Sequence, residues 1–166
     1  MKAEKKKKLI YSLLIITIIF FIDRLSKIYI VSIANVNGSV DIFVTKYLNI
    51  YLIWNEGIAF GLLSFDQSNI YSAITALITI ISIVIVVLII KTNDIRFYFY
   101  SFVFGGAIGN LFDRLYYSAV PDFIDLHINN YHWFIFNVAD IFITIGVLCL
   151  ILVELIFNKS LDNEKK

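Results

Sequence analysis

Acidic and amide side chains interrupt the apolar stretches of this 166-residue sequence. The most notable are Asp23, Asp113, Asp140, Asn110 and Asn137. Two carboxylates that meet in a low-dielectric environment cannot both ionise easily, so they share one proton. The ionised carboxylate can take a proton from water, while the protonated one polarises a carbonyl or protonates a leaving group. A pair of this kind hydrolyses amide bonds without a metal or a covalent nucleophile.

The composition indicates the environment in which such a pair would work. Hydrophobic residues make up 60% of the chain and charged residues 16%, whereas soluble domains average roughly 45–50% apolar and about 25% charged residues. This excludes an ordinary soluble domain, a disordered chain and a nucleic-acid-binding protein. We therefore predict one integral membrane domain that spans residues 1–166.

Four stretches are long and apolar enough to cross a bilayer, which takes about 20 helical residues. They are residues 9–33, 70–90, 97–117 and 134–157. Most basic residues of the chain fall on one side of these spans. The residues on that side are Lys2, Lys5, Lys6, Lys7, Lys8, Lys91, Arg96, Lys159, Lys165 and Lys166. The positive-inside rule assigns that side to the cytoplasm. Both termini are then cytoplasmic, and the 1–2 and 3–4 connections face outside.

The first span could instead be a cleaved signal peptide, because lysines precede its apolar run. No small-x-small cleavage site follows the run, and Asp23 and Arg24 come next. We therefore favour a retained span.

The depth of the carboxylates follows from a helix rise of ~1.5 Å per residue and a hydrocarbon core ~30 Å thick. Asp23 then lies about 21 Å and Asp113 about 24 Å from the cytoplasmic edge, and Asp140 lies about five residues from the outer start of its span. All three reach one layer ~6–9 Å below the outer surface. Depth alone favours Asp113 as the partner of Asp140.

Neighbouring side chains share helix faces with these carboxylates. Asn137, Asp140 and Thr144 follow i, i+3, i+7 spacing on the fourth span. Gly105 and Gly109 form a small-xxx-small pair that predicts close approach of another helix. Asp23 and Lys27 are i, i+4 partners, for which we favour a structural ion pair over a direct chemical role.

The two outer connections also carry polar groups. The β-rich segment of about residues 40–65 predicts a small sheet on the outer leaflet, with a passive interfacial loop as the alternative. In the 3–4 connection, Pro121 blocks helix continuation and presents Asp122 from a stiffened segment. Asp125 is the weaker candidate, and we interpret His127 and His132 as exposed loop histidines rather than metal ligands.

Four blocks, taken in order, resemble the lipoprotein signal peptidase family (signal peptidase II), the aspartic proteases of bacterial membranes. The blocks are DRLSK at 23–27, NEGIAF at 55–60, GGAIGNLFDR at 105–114 with DFID at 122–125, and FNVAD at 136–140. The chain departs from the family pattern at Pro121, where a branched aliphatic residue is usual, and at Arg24, where Gln is common. Neither departure removes a functional group.

The resemblance implies Asp122 and Asp140 as the catalytic dyad, which moves the role of partner from Asp113 to Asp122. It places five residues around the substrate or in support of it, namely Asn55, Gly57, Asn110, Arg114 and Asn137. Asp23, Lys27 and Asp113 match further motif positions, with supporting roles expected.

The resemblance also implies the substrate, a diacylglyceryl-modified prolipoprotein that is cut before its lipidated cysteine. No cofactor and no metal are expected. The partners are then prolipoproteins and membrane lipids, and the enzyme is expected to be a monomer. We expect an all-α membrane protein of four transmembrane helices in the bacterial cytoplasmic membrane, with a small extracytoplasmic β-rich segment between helices 1 and 2 and the active site near the outer leaflet.

Two other classes of protein can place carboxylates in membrane spans. A carrier or channel would use them as cation or proton sites, usually near the midplane and between repeated halves, but this chain has no internal repeat. A packing scaffold gives no reason for carboxylates to share one layer.

Overall fold

The computed structural model describes residues 2–57, 67–129 and 131–164, with side chains described for residues 4–57, 71–129 and 131–157. The helices in these ranges are α1 (Lys2–Asn37), α2 (Gln67–Lys91), α3 (Arg96–Tyr117) and α4 (Val138–Glu164). The strands are β1 (Asp41–Thr45), β2 (Leu48–Asn55), β3 (Val120–Ile128) and β4 (Tyr131–Phe136).

Within the described residues, three helices are long and apolar enough to cross a membrane: Glu4–Asn37, Tyr71–Lys91 and Val138–Phe157. They expose large apolar side chains such as Leu13 and Ile83, as expected of helices that face lipid. The more polar α3 packs against α1, α2 and α4. Its position at the centre buries its polar side chains, and its crossing of the membrane stays a prediction.

Glycines allow the helices to approach α3 closely. A side chain at Gly105 would lie 3.0 Å from Cβ of Ile19 on α1, and one at Gly109 would lie 2.6 Å from the Asp23 carboxylate. The predicted close approach at this small-xxx-small pair is confirmed. On the next face of α3, Gly106 leaves no room for a side chain, because its Cβ would lie 2.5 Å from the Ala139 carbonyl oxygen on α4.

We expect Gly106→Ala to lower the free energy of unfolding by about 1–3 kcal/mol, because the added methyl group forces α3 and α4 apart. Thermal unfolding of the purified protein in detergent, followed by circular dichroism, measures the effect. Leu115→Ala, at an exposed position of the same helix, is the control and is expected to change stability little. Equal stability of the two variants would contradict the close approach of α3 and α4.

The strands form one antiparallel sheet in the order β1-β2-β3-β4. Strand β2 belongs to the 1–2 connection and β3 to the 3–4 connection, so their pairing joins these two connections. Buried Ile30, Val40 and Phe123 attach the sheet to the end of α1. The expectation that β structure is confined to the segment between helices 1 and 2 is wrong, because the 3–4 connection is a β-hairpin.

The boundaries of the predicted spans change accordingly. The fourth helix begins at Val138 rather than at residue 134, because residues 131–136 pair with β3. The prediction for Pro121 is confirmed: α3 ends at Tyr117, Ser118 takes a left-handed conformation (φ 59°), and β3 begins at Val120. Residues 58–65 of the predicted β-rich segment lie outside the described residues.

Candidate active site

Asp122 lies near the start of β3 with its side chain buried. Each carboxylate oxygen accepts a hydrogen bond from an asparagine side chain: Asn55 Nδ2 donates to Oδ2 at 2.9 Å, and Asn137 Nδ2 donates to Oδ1 at 2.6 Å. Burial disfavours the ionised form and raises the pKa of Asp122 to about 6, against the opposing effect of these two hydrogen bonds. Asp122 can therefore hold a proton well above the ordinary range of an aspartate.

Asp140 occupies the first turn of α4. Its Oδ1 accepts from Asn110 Nδ2 at 2.8 Å, and its Oδ2 accepts from the Asn137 backbone N–H at 3.1 Å. In return, Asn137 Oδ1 accepts from the Asp140 N–H at 3.2 Å, which completes a reciprocal helix cap. The N-terminus of α4 and two N–H donors therefore fix the position of the Asp140 carboxylate.

Asn137 joins the two carboxylates. Its side-chain amide donates to Asp122, while its backbone N–H donates to Asp140. The expectation that Asn137 lies on a face of the fourth helix is wrong, because it is the residue that caps this helix from outside. The N-x-x-D pattern of residues 137–140 is the sequence signal for this cap.

A buried group of four charges lies behind Asp140. Lys27 Nζ is 2.8 Å from Asp23 Oδ2 and 2.7 Å from Asp113 Oδ2, and Arg24 pairs with Asp113 as well. All are buried, so the two positive and two negative charges neutralise one another. Lys27 Nζ also donates to Asn110 Oδ1 at 2.8 Å, which orients the Asn110 amide toward Asp140.

Asp23 has a second contact that sequence reasoning missed. Its Oδ1 accepts a hydrogen bond from the Ala139 backbone N–H at 3.0 Å. Ala139 is in the first turn of α4, where N–H groups have no partner within the helix. The predicted Asp23–Lys27 ion pair is confirmed, and it also fixes the end of the helix that carries Asp140.

Asn55 and Gly57 form a turn next to Arg114. Asn55 Oδ1 accepts from the Gly57 N–H at 2.7 Å. Gly57 has a φ of 89°, a backbone conformation that favours glycine, and it lies against the guanidinium of Arg114, whose Nη1 would be 2.9 Å from an added Cβ. The guanidinium of Arg114 stacks over the Tyr71 ring at 5.5 Å.

An apolar cavity of about 710 Å³ opens beside Asp140, between the β3–β4 hairpin and α4. Its lining includes Leu126, Trp133, Phe136, Ile141 and Ile145. A cavity of this size can receive a long apolar group next to the carboxylate.

The structure distinguishes the two candidate partners of Asp140. Asp113 is committed to Arg24 and Lys27, whereas Asp122 shares Asn137 with Asp140. Geometry thus favours Asp122, the aspartate indicated by the resemblance, over the one favoured by depth alone.

The prediction of exposed loop histidines is wrong for His127, whose side chain is only 10% exposed and lies in β3. Its partner on β4, His132, is more open. Within the described ranges, one group of three side chains could ligate a metal: Asp125, His127 and His132.

Comparison with known families gives one assignment over most of the chain. The sequence profile of the family described as Signal peptidase (SPase) II matches residues 15–157. That range includes the Asp122 and Asp140 network and its supporting charges.

Individual relatives agree with this assignment. A lipoprotein signal peptidase of Pelagibacter ubique is 56% identical over 96% of both chains. One of Anaplasma phagocytophilum is 37% identical over 90% of this chain and 94% of its own length. A solved bacterial membrane enzyme superposes with a TM-score of 0.72 at 33% identity, over 87% of this chain and 92% of that chain.

Proposed function

The chain belongs to the signal peptidase II family of lipoprotein signal peptidases, and we propose that it is an aspartic endopeptidase that removes signal peptides from diacylglyceryl-modified prolipoproteins. The observation that carries the mechanism is the pair of aspartates joined through Asn137, each with two hydrogen-bond donors. Asp122 and Asp140 are the proposed catalytic residues.

Their environments assign different starting roles to the two aspartates. We assign Asp140 the role of the base, because it lies at a helix N-terminus and two N–H donors hold both of its oxygens in place. Asp122 begins protonated, because burial raises its pKa. These roles describe the reactive state of the pair.

The proposed reaction uses one water and no covalent intermediate. Asp140 takes a proton from water as the oxygen attacks the scissile carbonyl carbon, and Asp122 donates its proton to the carbonyl oxygen. Asp140 then returns its proton to the leaving amide nitrogen as the carbon–nitrogen bond breaks. Asp122 recovers a proton from the tetrahedral hydroxyl, which leaves the new carboxyl end of the signal peptide.

The supporting residues hold this arrangement. Asn110, oriented by Lys27, fixes Asp140, while Asn55 and Asn137 fix Asp122. Half-buried Gly57 and buried Arg114 lie beside Asn55, where we propose that the substrate backbone binds. Asp23 and Asp113 keep the buried cations paired.

The substrate class is supported by the cavity beside Asp140. Its apolar lining suits the acyl chains of a lipidated cysteine, which would set the scissile bond just before that cysteine. We further propose four membrane spans with both termini in the cytoplasm and the dyad near the outer leaflet. We also propose a monomeric enzyme, because both aspartates and their donors come from one chain.

We expect activity to fall as the pH rises above about 6, because Asp122 then loses the proton it donates. Asn55→Ala removes a hydrogen bond that favours the ionised carboxylate, so it should raise the pKa of Asp122 and move this alkaline limb to higher pH. The dependence of kcat/KM on pH measures both effects. A limb that stays in place or moves to lower pH would contradict the role of Asp122.

A matched pair of synthetic peptides tests the proposed activity. Both carry one signal sequence and one cysteine, which is diacylglyceryl-modified in only one peptide. We expect the purified protein in detergent to cleave the lipidated peptide and to leave the unmodified peptide essentially intact. Equal cleavage of both would exclude recognition of the lipid, and cleavage of neither would overturn the proposed function.

A further inference from the structure

The β3–β4 hairpin carries three potential metal ligands that the proposed mechanism does not use. Asp125 and His127 are two residues apart on β3 and so lie on the same side of the strand. His132 lies on β4 directly opposite His127. The hairpin therefore brings one carboxylate and two imidazoles together.

The ligand atoms are within reach of one ion. His132 Nδ1 is 2.9 Å from Asp125 Oδ2, His127 Nδ1 is 3.7 Å from the same oxygen, and all three side chains can offer atoms within 4.8 Å of one another. Ligands at ~2.0–2.2 Å from a tetrahedral Zn²⁺ stand roughly 3.4 Å apart. Small side-chain rotations would thus close the group around a metal.

Hydrogen bonding within the group accounts for His132 and Asp125 but not for His127. The contact between His132 and Asp125 is an ordinary hydrogen bond. His127, however, is nine-tenths buried, and its Nδ1 faces Asp125 without a hydrogen-bond partner among the described residues. A buried polar atom without a partner is costly, and a metal bound between the three side chains would satisfy it.

We propose that Asp125, His127 and His132 bind a divalent transition metal of the zinc class. Two imidazoles and a carboxylate suit Zn²⁺ and its neighbours rather than Ca²⁺ or Mg²⁺, which prefer oxygen ligands. Three protein ligands leave a fourth position for water. The ion would fasten β3 to β4 beside the cavity and so brace the hairpin that holds Asp122 and leads to Asn137.

Metal binding is measured on the purified full chain, produced with an affinity tag that contains no histidine. After treatment with a chelator, the protein is incubated with ZnCl₂, separated by gel filtration and analysed for metal content. We expect about one zinc per chain, and Co²⁺ in its place should give the visible absorption of a tetrahedral site. Absence of zinc from the wild-type protein would overturn the proposal.

Variants locate the site. His132→Gln and His127→Phe should each weaken zinc affinity on the order of 10–100-fold or more, and zinc should raise the melting temperature of the wild-type protein but not of either variant. Trp133→Phe, a neighbour on β4 without a ligand atom, is the control and should bind as the wild type does. Equal zinc binding by the wild type and both histidine variants would refute the assignment.

Discussion

Asp122→Asn and Asp140→Asn are each expected to reduce prolipoprotein cleavage by roughly 10²–10⁴-fold, the usual contribution of a positioned acid or base. Asparagine has the shape of aspartate but cannot exchange the proton. The amide that replaces Asp122 cannot protonate the carbonyl oxygen, and the amide that replaces Asp140 cannot take a proton from water. Cleavage of the lipidated peptide by the purified variants measures the loss.

Folding must be assessed separately, because both aspartates accept hydrogen bonds. Circular dichroism and gel filtration in detergent are expected to show folded variants. Asp41→Asn, at an exposed position on β1, is the control and should keep full activity. Retained cleavage by a folded variant of Asp122 or Asp140 would contradict the dyad.

Lys27→Met is expected to produce the largest loss of stability, about 3–5 kcal/mol, which is typical when one partner of a buried ion pair is removed. Methionine fills a similar volume, but it leaves the buried carboxylates of Asp23 and Asp113 with only Arg24 to balance them within this group of four charges. Asn110 also loses the donor that orients it. Thermal unfolding in detergent measures the loss.

Two further variants separate charge imbalance from general disruption. Lys91→Met, at the exposed end of α2, should leave stability nearly unchanged. The double variant Lys27→Met with Asp23→Asn restores neutrality, and the asparagine oxygen can still accept from the Ala139 N–H. We expect it to be more stable than Lys27→Met alone. A double variant that is less stable would show that charge balance is not the reason for burying Lys27.

Helices α1, α2 and α4 were predictable because a long apolar run of about 20 residues has few alternatives to a membrane span. Strands β3 and β4 were not, for two physical reasons. Strand β3 contains Pro121 and is buried on both sides at its start, so it lacks the alternation typical of a half-buried strand. Residues 134–136 are as apolar as the helix that follows, and only pairing with β3 separates them from it.

The site was predictable to a similar degree. The depth estimated from helix rise placed Asp23, Asp113 and Asp140 in one layer. In the structure, Asp23 and Asp113 contact Lys27, and Asp140 contacts Asn110. Depth alone favoured Asp113 over Asp122, because it takes no account of the hairpin that places Asp122 against Asn137. The buried position of His127 depends on the same hairpin.

The position of the cut tests the central claim most directly, because it depends on both the dyad and the binding of the lipid beside it. Mass spectrometry of the products from the lipidated peptide identifies the bond that breaks. We predict a single cut that leaves the diacylglyceryl-modified cysteine as the new N-terminal residue. Cleavage at any other bond, or an intact peptide, would contradict the account.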